Sequence, residues 1–149
     1  MLENYEINSG TLAIIPINES TSKVIELEKE YIINKTCFEI IDDSCNYYGS
    51  TYQGRYVGTK NMIGMNYKLP IIIEESKNII FFPTTSPRLI NCSWISLNNL
   101  KTYLKNQNGS DIVFKNNNII NFDISLFSLE SQILRASRLE SILRNRKSQ

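Results

Sequence analysis

The residues best suited to chemistry with a ligand lie together in this chain, in SCNYYGSTYQGRYVGT, Ser44 to Thr59. Three of the six glycines (Gly49, Gly54, Gly58) and four of the eight tyrosines (Tyr47, Tyr48, Tyr52, Tyr56) fall there. Ser50, Thr51 and Thr59 fill the gaps, Arg55 stands at the centre, and Lys60 follows. No acid occurs between Asp43 and Glu74. Such a set suits a polyanion. Glycine bares backbone N–H groups, hydroxyls donate, a guanidinium pairs with phosphate, and flat rings lie against sugar or base. The same composition also makes an ordinary surface loop with packed tyrosines, and the residues alone leave both readings open.

Other chemistries find less support. Gly49 and Gly54 have the spacing of a phosphate-binding loop, G-x-x-x-x-G, but Arg55 and Tyr56 stand where lysine and a hydroxyl residue are needed for the terminal phosphates and magnesium. The chain contains no histidine, which removes Ser–His and Cys–His nucleophile pairs and the commonest zinc ligand. Asp42 and Asp43 are adjacent, so on a helix they do not face each other. Cys37, Cys45 and Cys92 lack metal-ligand spacing and read as reduced, buried thiols. An enzyme is therefore disfavoured, and no cofactor or metal is expected.

The net charge of +1 conceals an asymmetry. Residues 1–43 hold nine acids and three bases, a net of −6; residues 44–149 hold six acids and thirteen bases, a net of +7. A basic stretch of that length suggests a nucleic-acid partner. Lysine and arginine neutralise phosphates without choosing sequence, whereas sequence choice needs base edges or groove shape. One arginine among small residues suits a narrow A·T-rich minor groove, whose negative potential attracts it. At 149 residues and 42% apolar content the chain fits a single domain, 1–149, with a real core. No run approaches the ~18 apolar residues of a membrane span, and MLENYEINSG lacks the basic and apolar regions of a secretory signal. A cytoplasmic, nucleoid-associated protein is expected.

The elements that must carry these residues read as a β-rich α+β fold of short antiparallel strands and hairpins. Tyr5 to Ile7 and Leu12 to Ile17 flank a turn at Ser9-Gly10. Val24 to Leu27 and Tyr31 to Ile33 flank Glu28-Lys29. Thr36 and Glu39 form a capping-box pattern that opens a helix over 36–48, with Gly49 as its stop. The stretch beyond Gly49 is expected to be a loop leaving a helix C-terminus. Ile71 to Ile73 and Ile79 to Phe82 read as paired strands between Pro70 and Pro83, and Trp94 to Leu97 as another. Leu97, Leu100 and Leu104 suggest helical turns, Ile112 to Phe114 and Ile119 to Phe122 a hairpin. An amphipathic helix closes the chain over 128–146, capped by Ser128, with Leu129, Ile133, Ala136, Leu139 and Leu143 on one face. Trp94, Phe82 and Phe38 are expected in the core.

Three blocks of this sequence resemble the ComK family of competence transcription factors of low-GC Gram-positive bacteria. The first is Ser44 to Thr59, above all Ser44-Cys45, Gly49-Ser50, Tyr52, Gly54-Arg55 and Gly58-Thr59. The second is Lys68, Pro70 and Ile71 with Phe82, Pro83 and Thr84; the third is Cys92 to Ser96 around Trp94. The resemblance runs over nearly the whole chain. It departs where the chain ends at Gln149, soon after the last helix, where a longer tail is expected, and at Leu69, where a proline is expected.

The resemblance implies a DNA-binding activator of transformation genes that enters paired A/T-rich boxes through the minor groove. It also implies a homodimer or higher assembly, control by an adaptor and a Clp protease, and an indirect link to RNA polymerase. On this reading Arg55 probes the minor groove, and Lys60 and Lys68 meet phosphates. Ser50, Thr51 and Thr59 donate, and Tyr52 and Tyr56 brace the loop or pack on sugars. Gly54 and Gly58 serve backbone geometry, and Arg135, Arg138 and Arg146 extend the basic surface. Two alternatives stay open: a shortened, non-activating paralogue acting through mixed oligomers, and a single-stranded nucleic-acid module using its tyrosines as stacking platforms.

Overall fold

The computed structural model describes all residues, Met1–Gln149. Three strands come first, β1 (Thr11–Pro16), β2 (Ser22–Glu26) and β3 (Glu30–Ile33), then two helices, α1 (Cys37–Tyr47) and α2 (Tyr52–Ile63). Six strands follow: β4 (Ile71–Glu74), β5 (Ile79–Pro83), β6 (Trp94–Ser96), β7 (Leu100–Asn106), β8 (Gly109–Phe114) and β9 (Ile119–Phe122). The last element is α3 (Leu126–Lys147). The first six strands form one antiparallel sheet in the order β3-β2-β1-β6-β5-β4; the other three form a meander, β7-β8-β9. This is the α+β architecture that the hairpin and helix patterns predict.

Both faces of the large sheet are covered, which explains why β4 and β5 read as near-continuous apolar runs. Alternate residues serve opposite cores. Ile71, Ile73, Ile79, Phe81 and Trp94 face a core shared with Ile40, Ile41 and Cys45 of α1. Ile72, Ile80, Phe82 and Ile95 face a second core, closed by Ile112, Phe114 and Phe122 of the small sheet and by Leu129, Ala136, Leu139 and Leu143 of α3. Trp94 and Phe82 are fully buried, and Phe38 packs at the margin of the first core. Gln132 of α3 ties two distant backbones together. Its amide donates to the Lys68 carbonyl at 3.0 Å and the Pro83 carbonyl at 2.7 Å.

Four expectations need correction. Tyr5 to Ile7 forms no strand. Its place is held by side chains, with the Tyr5 hydroxyl bonded to Thr11 Oγ1 at 2.6 Å and to the Glu26 carboxylate. Leu100 to Leu104 is not helical but lies in β7. Tyr103 pairs with Ile112 and Leu104 with Asp111, so Tyr103 and Leu104 point to opposite faces. The last helix starts earlier than expected, because Ser125, not Ser128, is the N-cap and accepts from Ser128 N at 3.1 Å. Finally, the residues after Gly49 are not a loop; most of them form α2.

The helix over 36–48 forms on the expected terms. The Thr36 hydroxyl accepts from Glu39 N at 3.1 Å, and the Glu39 carboxylate accepts from Thr36 N at 3.0 Å. All three cysteines are free and buried. Burial pushes the Cys37 and Cys45 thiols up to about 12 and raises that of Cys92. No helix is long and apolar enough to cross a membrane.

Candidate nucleic-acid interface

Helix α2 carries most of the residues singled out by their chemistry, and its ends explain how it forms. Gly49, at φ 88°, turns the chain out of α1. Thr51 is then the N-cap, its hydroxyl accepting from Gly54 N at 2.9 Å, and Asp42 of α1 accepts from Tyr52 N at 2.9 Å. Gly64, in the left-handed region at φ 68°, ends the helix by donating to the Lys60 carbonyl at 2.9 Å. One face is buried through Tyr52, Thr59 and Ile63. The Tyr52 ring packs edge-on against Phe38, centroids 4.7 Å apart, and against Trp94 at 6.3 Å. The opposite face presents Gln53, Gly54, Val57, Lys60 and Asn61 to solvent, as a ridge without a single acid.

The helix redistributes the expected roles. Tyr52 belongs to the core and braces α2, and burial raises its phenol to about 12. Tyr56 also braces, its hydroxyl donating to the Asn66 carbonyl at 3.0 Å. Thr59 is 1% exposed, and its hydroxyl has no hydrogen-bond partner. Arg55 is not a free probe. Its Nη1 pairs with Glu75 Oε1 at 2.7 Å, its side chain is 15% exposed, and its Nε is buried without a partner. Gly54 and Gly58 have no left-handed backbone to relieve, because both sit inside α2 with ordinary helical signs. Thr51 spends its hydroxyl on the cap, and Ser50 beside it is half-buried.

The remaining cations divide in the same way. Lys60, Arg138 and Arg146 are exposed and make no ion pair. Arg135 makes no ion pair and is fastened to the fold, donating to the Tyr67 carbonyl at 2.8 Å and to Gln132 Oε1 at 3.3 Å. Lys68 has a left-handed backbone at φ 49° and its ammonium lies 5.1 Å from the centre of the Tyr67 ring.

Two troughs run beside the α2 ridge. One, of about 330 Å³, lies between α2 and the loop after β5, bordered by Gln53, Tyr56, Tyr67, Lys68 and Arg88. Neither Lys68 nor Arg88 has a carboxylate partner, and no acid lines the trough. Arg88, Gln53 and Tyr67 are the residues that sequence reasoning passed over. The signal available for Arg88 was a cation in a proline-containing loop that falls between two of the blocks quoted above. The second trough lies between α2 and the end of α3, bordered by Ser50, Gly54, Gly58, Arg146 and Lys147. So the fold gathers Ser50, Tyr52, Gly54, Arg55, Tyr56, Gly58, Thr59 and Lys68 around one helix, and leaves Arg138 elsewhere on α3.

Comparison with known proteins addresses the same chain. The sequence profile of the family described as ComK protein matches residues 2–148. The competence transcription factor of Bacillus subtilis (strain 168) is 32% identical over 149 residues, an overlap spanning 97% of this chain and 78% of that protein. No solved structure matches. With a profile match over nearly its full length and a relative at this identity, the chain belongs to the ComK protein family.

Proposed function

We propose that this chain is a competence transcription factor, an activator that binds duplex DNA at A/T-rich boxes through the minor groove, with residues 1–149 acting as one DNA-binding domain. The observation that carries the DNA contact is the acid-free trough beside α2, where Lys68 and Arg88 stand unpaired next to tyrosine rings. An unpaired guanidinium loses no ion pair on meeting a phosphate or a narrow groove, whereas Arg55 would first have to leave Glu75. Arg88 therefore takes the probing role that the sequence suggested for Arg55. Lys60 and Lys68 supply phosphate contacts, with Ser50, Thr51 and Tyr56 framing the helix between them. On the same reading the protein is cytoplasmic and nucleoid-associated, and assembles as a dimer or higher oligomer. An adaptor–Clp protease pair and, indirectly, RNA polymerase are then its further partners.

The test is a binding titration on A/T-box and scrambled duplexes at two salt concentrations. The wild type should prefer the A/T boxes, and Arg88→Ala should weaken that binding about tenfold, within the range for a specific arginine contact. Equal affinity for both duplexes would end the sequence-specific reading. One observation favours a second reading: Tyr67, 62% exposed beside the trough, suits stacking on an unpaired base. Competition of a single strand against the duplex separates the two.

A further inference from the structure

The second trough, between α2 and the end of α3, has a floor that the fold does not require. Gly58 has a helical backbone, and a side chain built on it would meet no atom within 4 Å. Any common residue other than proline would make a better helix there. Gly54, one turn earlier, borders the same trough, but there the fold itself asks for a small residue, since a Cβ would lie 3.1 Å from Thr51 Oγ1 and 3.2 Å from Ser50 Oγ. Bare helix backbone on a solvent-facing wall is explained by something that approaches closely from outside.

Two further observations say what that is. Thr59, 1% exposed, borders the trough, and its hydroxyl has no hydrogen-bond partner. Nor has the Nε of Arg55, which borders it too. Two of the four buried polar atoms without partners in the molecule thus belong to residues of this one trough, and both can donate to an acceptor oxygen. On the facing wall Arg146 is exposed and unpaired, and Lys147 donates to Asn78 Oδ1 at 2.7 Å and to the Glu75 carbonyl. The trough's one carboxylate, Glu75, is already neutralised by Arg55. A thin, oxygen-rich anion fits this set, and a sugar-phosphate strand is one.

We propose that the trough between α2 and α3 seats one phosphodiester strand against the bare backbone at Gly58. The inference rests on the duplex-binding reading above and adds the seat of one backbone strand.

Gly58→Leu and Arg146→Gln test it, on A/T-box duplex titrated over a range of salt concentrations with thermal melting as the control. Gly58→Leu should bind at least tenfold more weakly than wild type while melting no lower. Arg146→Gln should reduce the slope of log K against log salt by about 0.9, the share of one phosphate. Wild-type affinity and slope in both variants, with Arg88→Ala still impaired, would overturn this strand seat and leave duplex binding standing. Failure of the wild type to bind any duplex would overturn both. Should Gly58→Leu melt below wild type, Arg146→Gln decides, because that side chain is exposed and makes no ion pair.

Discussion

Helices α1 and α2 follow one another in the chain and are nearly equal in length, 11 and 12 residues, yet they are built on opposite terms. In α1 every local preference agrees with the outcome: a reciprocal cap, an apolar stripe, and glycine at the stop. In α2 local preference is poor. Two glycines interrupt it, its buried stripe consists of Tyr52, Thr59 and Ile63, and Val57 faces outward. What holds α2 is tertiary: the Tyr52 ring in the aromatic cluster with Phe38 and Trp94, and Asp42 of α1 at its first turn. The contrast separates a helix selected for stability from one whose exposed surface is kept for another use.

The largest test of that contrast is alkaline titration. Cys37 and Cys45 of α1 are held protonated to about 12 by burial, against about 9 when free, and Tyr52 of α2 to about 12 against 10. Each group binds its proton more tightly folded than unfolded. Its contribution is therefore whole below the free value and is lost as pH rises through the folded one. Stability measured by urea unfolding should be flat to about pH 8 and fall on the order of several kcal/mol by pH 12. The decline should begin near pH 9 with the α1 thiols; a decline that starts only above pH 10 would mean that the thiols are not buried.

Next in size is the anchor of α2. Tyr52→Ala should lower unfolding free energy by roughly 3 kcal/mol, comparable to Ile40→Ala in α1. A loss under about 1 kcal/mol at Tyr52 would show that α2 is not held by its ring. The caps should differ in the same sense as the helices. Thr36→Ala, which breaks a reciprocal pair, should cost about 1–2 kcal/mol, and Thr51→Ala about 1 kcal/mol. The smallest effect has the opposite sign: Gly58→Ala should raise unfolding free energy by roughly 0.5–1 kcal/mol. A destabilised Gly58→Ala would assign that glycine to the fold, not to a ligand.

The same contrast explains what could be read from the residues. The helix over 36–48, the paired strands around residues 71–82 and the last helix were legible because their apolar positions repeat at the period of the element. Tyr52, Tyr56 and Ile63 also repeat at spacings of four and seven, and Thr51 and Gly64 mark the ends, but glycine at two positions outweighed that signal. β7 failed for a different reason. Leu97, Leu100 and Leu104 have helix-like spacing, yet Leu97 lies outside the strand and Leu104 faces solvent, so the spacing reflects two unrelated environments. At the candidate site, most of the residues singled out by type gather around one helix, α2, but their types do not say which arginine is free. Whether an arginine is paired depends on a carboxylate twenty residues away, Glu75, which no local pattern reveals.

Helix α3 has a consequence for timing. The last quarter of one core comes from Leu129, Ala136, Leu139 and Leu143, and the amide of Gln132 fastens the chain on either side of the β4–β5 hairpin. During synthesis, the sheet face formed by Leu12, Ile72, Ile80, Phe82 and Ile95 stays incompletely covered until the final helix has emerged. A nascent chain that lacks α3 should then be a sticky, protease-sensitive intermediate. Arrested nascent chains ending before α3 should be cut within β1–β6 by brief proteolysis, where the released full chain resists; equal resistance would place the folding step before the last helix.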